Sequence, residues 1–84
     1  MKLSTFDIRK RILTKLVRHR IWGEKHTAYD NIPHGFPKHL WKDVRNELNH
    51  LIHEGFIREK PTGHGLHVSL NVEKKTQIEE IVLG

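Results

Sequence analysis

Apolar residues recur at helical spacing over much of the chain and alternate with polar ones over one short stretch near its middle. Between Pro37 and Glu54, Trp41, Val44, Leu48 and Leu51 return every three or four positions, with Leu40 and Ile52 beside them. At about 100° per residue these side chains share one half of a helix, while His39, Lys42, Asn46, Asn49 and His53 occupy the other. The pattern predicts a helix over 37–54. Pro37 suits its first turn because its φ is already helical, and Gly55 stops it because glycine tolerates positive φ. A hairpin is expected next, over 56–70. Phe56 to Lys60 forms one arm, Pro61 to Gly65 the turn, and Leu66 to Leu70 the other arm. Leu66, Val68 and Leu70 alternate with His67 and Ser69, the signature of a strand buried on one face.

Upstream, Ile8, Ile12, Leu13, Leu16 and Val17 form the apolar stripe of a helix over 4–20, with Phe6 expected to join it. Ser4 or Thr5 caps this helix, and Asp7, three residues after Ser4, completes a capping box. Arg9, Lys10, Arg11, Lys15 and Arg18 cover the rest of its surface. Gly23 breaks the connector that follows. A short second helix over 27–32 is expected, capped by Thr27 and ended by Pro33, with Ala28, Tyr29 and Ile32 facing inward. A turn over 33–37 leads to the long helix. After the hairpin, Asn71 caps a last helix over 72–83, whose apolar residues are Ile78, Ile81 and Val82. A helix so short is marginal in water alone. Its apolar residues therefore dock on the chain's own core or on a second copy.

Two phrases, L-x-x-L-x-x-E-G-F-I from Leu48 to Ile57 and T-G-x-G-x-x-V-S-L from Thr62 to Leu70, together with the helices upstream, resemble the winged helix-turn-helix family. The resemblance covers most of the chain. It implies an α+β, mostly helical fold over 1–84: a three-helix core, a two- or three-stranded β-wing and an additional C-terminal helix. A third strand would come from the region of Lys25 to Thr27, where members of the family often place one. The turn over 33–37 is longer than that of a strict helix-turn-helix. By function, the resemblance implies a small prokaryotic-type transcription regulator, with 37–54 as its recognition helix and 56–70 as its wing; because members of the family commonly dimerise through terminal helices, it also favours a homodimer through the C-terminal helix.

Charge supports a polyanionic partner. The net charge is +5, but eleven Lys/Arg against four Asp/Glu lie between Met1 and Arg45, and four against six follow from Asn46 onward. A basic front half and a mildly acidic tail fit contact with nucleic acid through the first half and the hairpin. Cysteine is absent, which excludes disulfides and thiolate metal sites. The first residues are too charged for a secretory signal, and no apolar run approaches membrane-spanning length. The expectation is one small cytoplasmic domain, nucleoid-associated, without a membrane.

On duplex DNA the polar face of 37–54 would meet base edges in the major groove. Asn46 and Asn49 each carry a donor and an acceptor, the pairing suited to adenine. Lys42 suits guanine oxygens or a phosphate. Lys38 and His39 stand in the first turn, where free backbone N–H groups also favour a phosphate. Arg45, at the edge of the apolar stripe, is placed to clamp the backbone. In the wing, Lys60 and His64 flank the tip and Thr62 offers a hydroxyl to phosphate. His50 and His53 lie three apart on one helix, and His64 and His67 on the hairpin. Glu47 and Glu54 lie near in sequence as a third ligand, but no H-E-x-x-H or cysteine-containing pattern occurs, and no metal and no cofactor are expected. No nucleophile lies beside a base, so enzymatic activity is not expected. The competing readings are a winged-helix protein–protein interaction module and a non-specific nucleic-acid or chromatin binder.

Overall fold

Ser4 opens the first helix as its spacing suggests. In the computed structural model, which describes residues 3–84, the Ser4 hydroxyl accepts from the Asp7 amide at 3.1 Å and the Asp7 carboxylate accepts from the Ser4 amide at 3.2 Å. Two of the N–H groups that a helix start leaves unpaired are thereby satisfied. Lys2, part of the basic front half, lies outside the described residues. The elements are α1 (Thr5–Arg18), β1 (Thr27–Ala28), α2 (Asn31–His34), a 3₁₀ turn (Lys38–Leu40), α3 (Trp41–His53), β2 (Ile57–Thr62), β3 (Gly65–Leu70), a second 3₁₀ turn (Val72–Lys74) and α4 (Lys75–Leu83). Among the described residues the architecture is α+β and mostly helical, with four helices and one antiparallel three-stranded sheet in the order β1-β3-β2.

α1 and α3 end in the same way with different residues. After α3, the Phe56 amide donates to the Leu51 carbonyl at 3.0 Å and the Gly55 amide to the Ile52 carbonyl at 3.1 Å. Gly55 takes the left-handed conformation this closure requires, with φ of 86°. After α1, Ile21 bonds back to Leu16 and Arg20 to Val17, each at 3.0 Å. Here the left-handed residue is Arg20, with φ of 56°. A non-glycine residue there costs about 1–2 kcal/mol, against the greater unfolded freedom of glycine, about 0.5–1 kcal/mol. Arg20→Gly is therefore expected to stabilise the fold by roughly half a kcal/mol, raising the thermal midpoint by a few degrees in calorimetry. A lowered midpoint would contradict this account of the α1 terminus.

The second helix is displaced from its expected position. Residues 27 and 28 form a strand, Thr27 pairing with Val68 and Ala28 with His67, and the Tyr29 amide continues to the Leu66 carbonyl at 3.0 Å. The open edge of β3 supplies partners for this backbone. The helix begins only at Asn31, and Thr27 does not cap it. Pro33 is buried in its first turn instead of ending it, because a first-turn N–H needs no helical partner.

β2 and β3 pair from Ile57↔Leu70 at the base to Thr62↔Gly65 at the tip. Strict alternation fails along β3. Leu66, near the tip, is exposed, whereas Val68, Ser69 and Leu70 are all fully buried. The hairpin projects beyond the core at one end and is embedded at the other. There the connector lies against it: the Leu70 amide donates to the Ile21 carbonyl at 2.8 Å and the Gly23 amide to the Leu70 carbonyl at 3.2 Å.

The core gathers Ile8, Ile12, Leu13 and Leu16 of α1, Ile32 of α2, Val44, Leu48 and Leu51 of α3, and Ile57, Val68 and Leu70 of the sheet. Phe6 does not join it and is 56% exposed. From α4, Ile78 is fully buried in this same core, a contact worth about 1.5–3 kcal/mol. No described helix is long and apolar enough to cross a membrane.

Candidate functional site

α3 presents four sides. Val44, Leu48 and Leu51 are fully buried. Opposite them Lys42, Asn46, Asn49 and His53 form an exposed crest, as their spacing predicts. The two flanks are held by neighbouring helices.

On the flank toward α1, Arg9 inserts its guanidinium between the carboxylates of Glu47 in α3 and of Glu54, the residue that caps its end. Its Nε donates to Glu47 at 2.5 Å, and its Nη1 and Nη2 donate to the two Glu54 oxygens, the former at 3.2 Å. The same guanidinium lies 5.9 Å from the centre of the Phe56 ring. Glu47 is only 3% exposed, and Nδ1 of His50 approaches its other oxygen at 3.3 Å. The hydrogen bond from Arg9 holds the Glu54 carboxyl below its ordinary value, and the two carboxylates raise Arg9 in turn. Arg9 therefore braces α3 against α1 and does not belong with the free surface cations of α1.

The flank toward α2 carries Tyr29, whose hydroxyl donates to Oδ1 of Asn49 at 2.7 Å. Burial pushes the phenol above its ordinary value, partly offset by Arg45 nearby, so it stays a donor at neutral pH. Asn49 thus has its acceptor engaged within the protein and offers its Nδ2 protons outward. The expected two-way pairing by this amide is changed by a residue twenty positions away. Asn46 has no such partner among the described residues and keeps both functions; it borders the cleft between Thr5 of α1 and Asp43 of α3.

Lys38 and His39 are exposed in the 3₁₀ turn that leads into α3. Among the described residues no side chain caps either that turn or α3 itself, and Asp43 is the acidic residue in the first turn of α3. Lys42 and Arg45 are exposed and have no carboxylate within ion-pairing distance among the described residues. Trp41, beside them, is half-buried; its indole donates to the Phe36 carbonyl at 2.9 Å and its ring lies on His34.

The hairpin supplies a second group. Lys60 sits opposite His67 in the pairing, and His64 is exposed at the tip. Thr62 is not free to donate: its hydroxyl gives its proton to the Gly65 carbonyl at 2.8 Å and accepts from the His64 amide at 3.1 Å. Its role is to close the turn. Lys60, Thr62 and His64 make no hydrogen bond with the α3 crest among the described residues, and the two groups meet the solvent separately.

Spacing arguments did not pair His26 with His67, yet their Nδ1 atoms lie 2.8 Å apart with the rings edge to face. One ring donates and the other accepts, tying the connector to β3. Among the described residues no three His, Asp or Glu side chains converge as a metal-ligand set. Arg9, Tyr29 and His26 all act on partners twenty or more positions away, so no local pattern identifies them. Protein-family models, curated proteins and solved structures yield no match to this chain.

Proposed function

We propose that the chain is a winged helix-turn-helix domain that binds double-stranded DNA as a small transcription regulator. In this reading α3 lies in the major groove and the β2–β3 hairpin rests on the sugar-phosphate backbone. The element order, with a short strand between the first two helices, and the sheet order β1-β3-β2 support the family reading. The observation that carries the function is the uncovered crest of α3. Lys42, Asn46, Asn49 and His53 stand outward on a helix held on both flanks, with Lys38, His39 and Arg45 around them.

The major groove admits one α-helix, and its base edges carry distinct donor and acceptor patterns. Asn46 suits adenine through both amide functions. Asn49, with Tyr29 on its Oδ1, suits an acceptor: a purine N7, guanine O6 or thymine O4. Lys38, His39, Lys42 and Arg45 meet phosphates or guanine. Lys60 and His64 serve the wing. A regulator of this kind acts at the nucleoid and performs no chemistry of its own.

Homodimerisation through α4 takes second place. Ile78 is spent in the protomer's own core, the half-buried Ile81 and Val82 pack against that same core, and Leu83, 84% exposed, is left for a second copy.

The test is binding to random duplex DNA at two salt concentrations, followed by selection of preferred sequences. Five or six phosphate contacts give a log–log salt slope of about −5, and selection should enrich one motif, with its half-site symmetry reporting the number of copies bound. Steep salt dependence without a motif would instead indicate an architectural binder. Absence of duplex binding at low salt would overturn the DNA reading in favour of a protein partner.

A further inference from the structure

The outer face of α1 and the turn before α3 enclose a groove of about 970 Å³, lined along one side by Lys10, Arg11, Lys15 and Arg18 and floored by Gly35 to Pro37. Lys10 is engaged, its ammonium donating to the Gly84 carbonyl at 3.0 Å. Arg11, Lys15 and Arg18 have no carboxylate within ion-pairing distance among the described residues. Asp7, the one acid in the wall among the described residues, holds the Ser4 cap and also attracts Arg11 and Lys10. We propose that this groove is a second DNA-contacting surface, which holds the backbone of the duplex beyond the segment read by α3. The inference rests on the DNA reading above and extends it.

Three features argue for a duplex backbone as the occupant. Arg11, Lys15 and Arg18 stand at i, i+4 and i+7, one stripe along the helix. The stripe is about 10 Å long, over which one strand of B-DNA offers about three phosphates. Lys15 does not swing free in solvent: its ammonium lies over Gly35, 2.2 Å from where a β-carbon would stand. Any larger residue at 35 would displace it, so the turn accommodates the cation at the groove floor. Finally, the floor residues Gly35 to Pro37 run directly into Lys38 and His39, so the groove continues the cationic border of α3.

The experiment compares two triple variants with equal loss of charge, Arg11→Gln/Lys15→Gln/Arg18→Gln in the groove and Lys25→Gln/Lys74→Gln/Lys75→Gln away from it. Each is measured on the selected motif embedded in short and long duplexes, with circular dichroism and thermal midpoint confirming that both fold. The groove variant should show a salt slope shallower by about 2–3 and should lose the affinity that the natural chain gains from flanking base pairs. Its preferred motif should be unchanged. The control variant should retain both the slope, to within about one, and the length dependence. Equal losses in the two variants would mean that only net charge matters and would overturn the proposal. An unchanged groove variant would do the same. If the unsubstituted chain binds no duplex, the DNA reading itself falls, a result distinct from either of these.

Discussion

Arg9→Ala should lower the stability of this chain by about 3 kcal/mol, measured by urea unfolding at pH 7. Truncation leaves Glu47, which is 3% exposed, as a buried carboxylate with only His50 beside it. Breaking one side of a buried ion pair usually costs about 3–5 kcal/mol; the partial exposure of Arg9 places this case at the lower end. For a domain of this size the loss corresponds to a fall in thermal midpoint of roughly 10–20 °C. A combined Arg9→Met/Glu47→Leu variant should recover most of it, because apolar groups of similar volume replace a buried pair with little loss. Acid unfolding supplies a second readout. Glu54 sits below its ordinary value of 4.5 because Arg9 donates to it. Its contribution is therefore present above about pH 4.5 and lost as pH falls through the lowered value in the folded state. Glu54 is 42% exposed, so solvent screening limits this part to well under 1 kcal/mol. Arg9→Ala should remove that increment of acid sensitivity. A variant within about 1 kcal/mol of the natural chain would show that Arg9 does not brace α3.

On DNA, Asn46→Ala/Asn49→Ala should weaken binding to the selected motif by roughly 10²-fold while leaving random-duplex affinity and salt slope in place. Each well-made base contact discriminates by about 1–3 kcal/mol, whereas the phosphate contacts that supply general affinity come from other residues. Both side chains are exposed on the crest, so the fold should tolerate their loss. Tyr29→Phe refines the same prediction. It keeps the ring in place but releases Oδ1 of Asn49, and repeated selection should show an altered preference at one base position only. If the double variant binds the motif as tightly as the natural chain, α3 does not read bases. If Tyr29→Phe leaves every position unchanged, Tyr29 does not orient Asn49.

The helices were legible where a single face had to be buried. The three- and four-residue recurrence of Trp41, Val44, Leu48 and Leu51 defines which side of α3 turns inward; the last three are fully buried and Trp41, at the start of the helix, is half-buried. Ser4 with Asp7 and Gly55 marked the start of one helix and the end of another through purely local bonding. The exposure of Lys42, Asn46 and Asn49 was the complement of that same periodicity.

Elsewhere distant groups overrode local preference. Thr27 and Ala28 became a strand because the edge of β3 had backbone groups to pair. Thr62 lost its free hydroxyl proton to the turn it closes. Ile78 docked in the chain's own core because α4 packs along α1, which could bury it. Periodicity and capping act within a few residues, so the amino-acid order alone established α1, the body of α3, the hairpin and the polar face of α3, but not the place of α2. The bracing by Arg9, the orientation of Asn49 by Tyr29 and the groove between α1 and Gly35 arise only when segments far apart along the chain are packed together, because those contacts are made by three-dimensional proximity and leave no trace in local spacing.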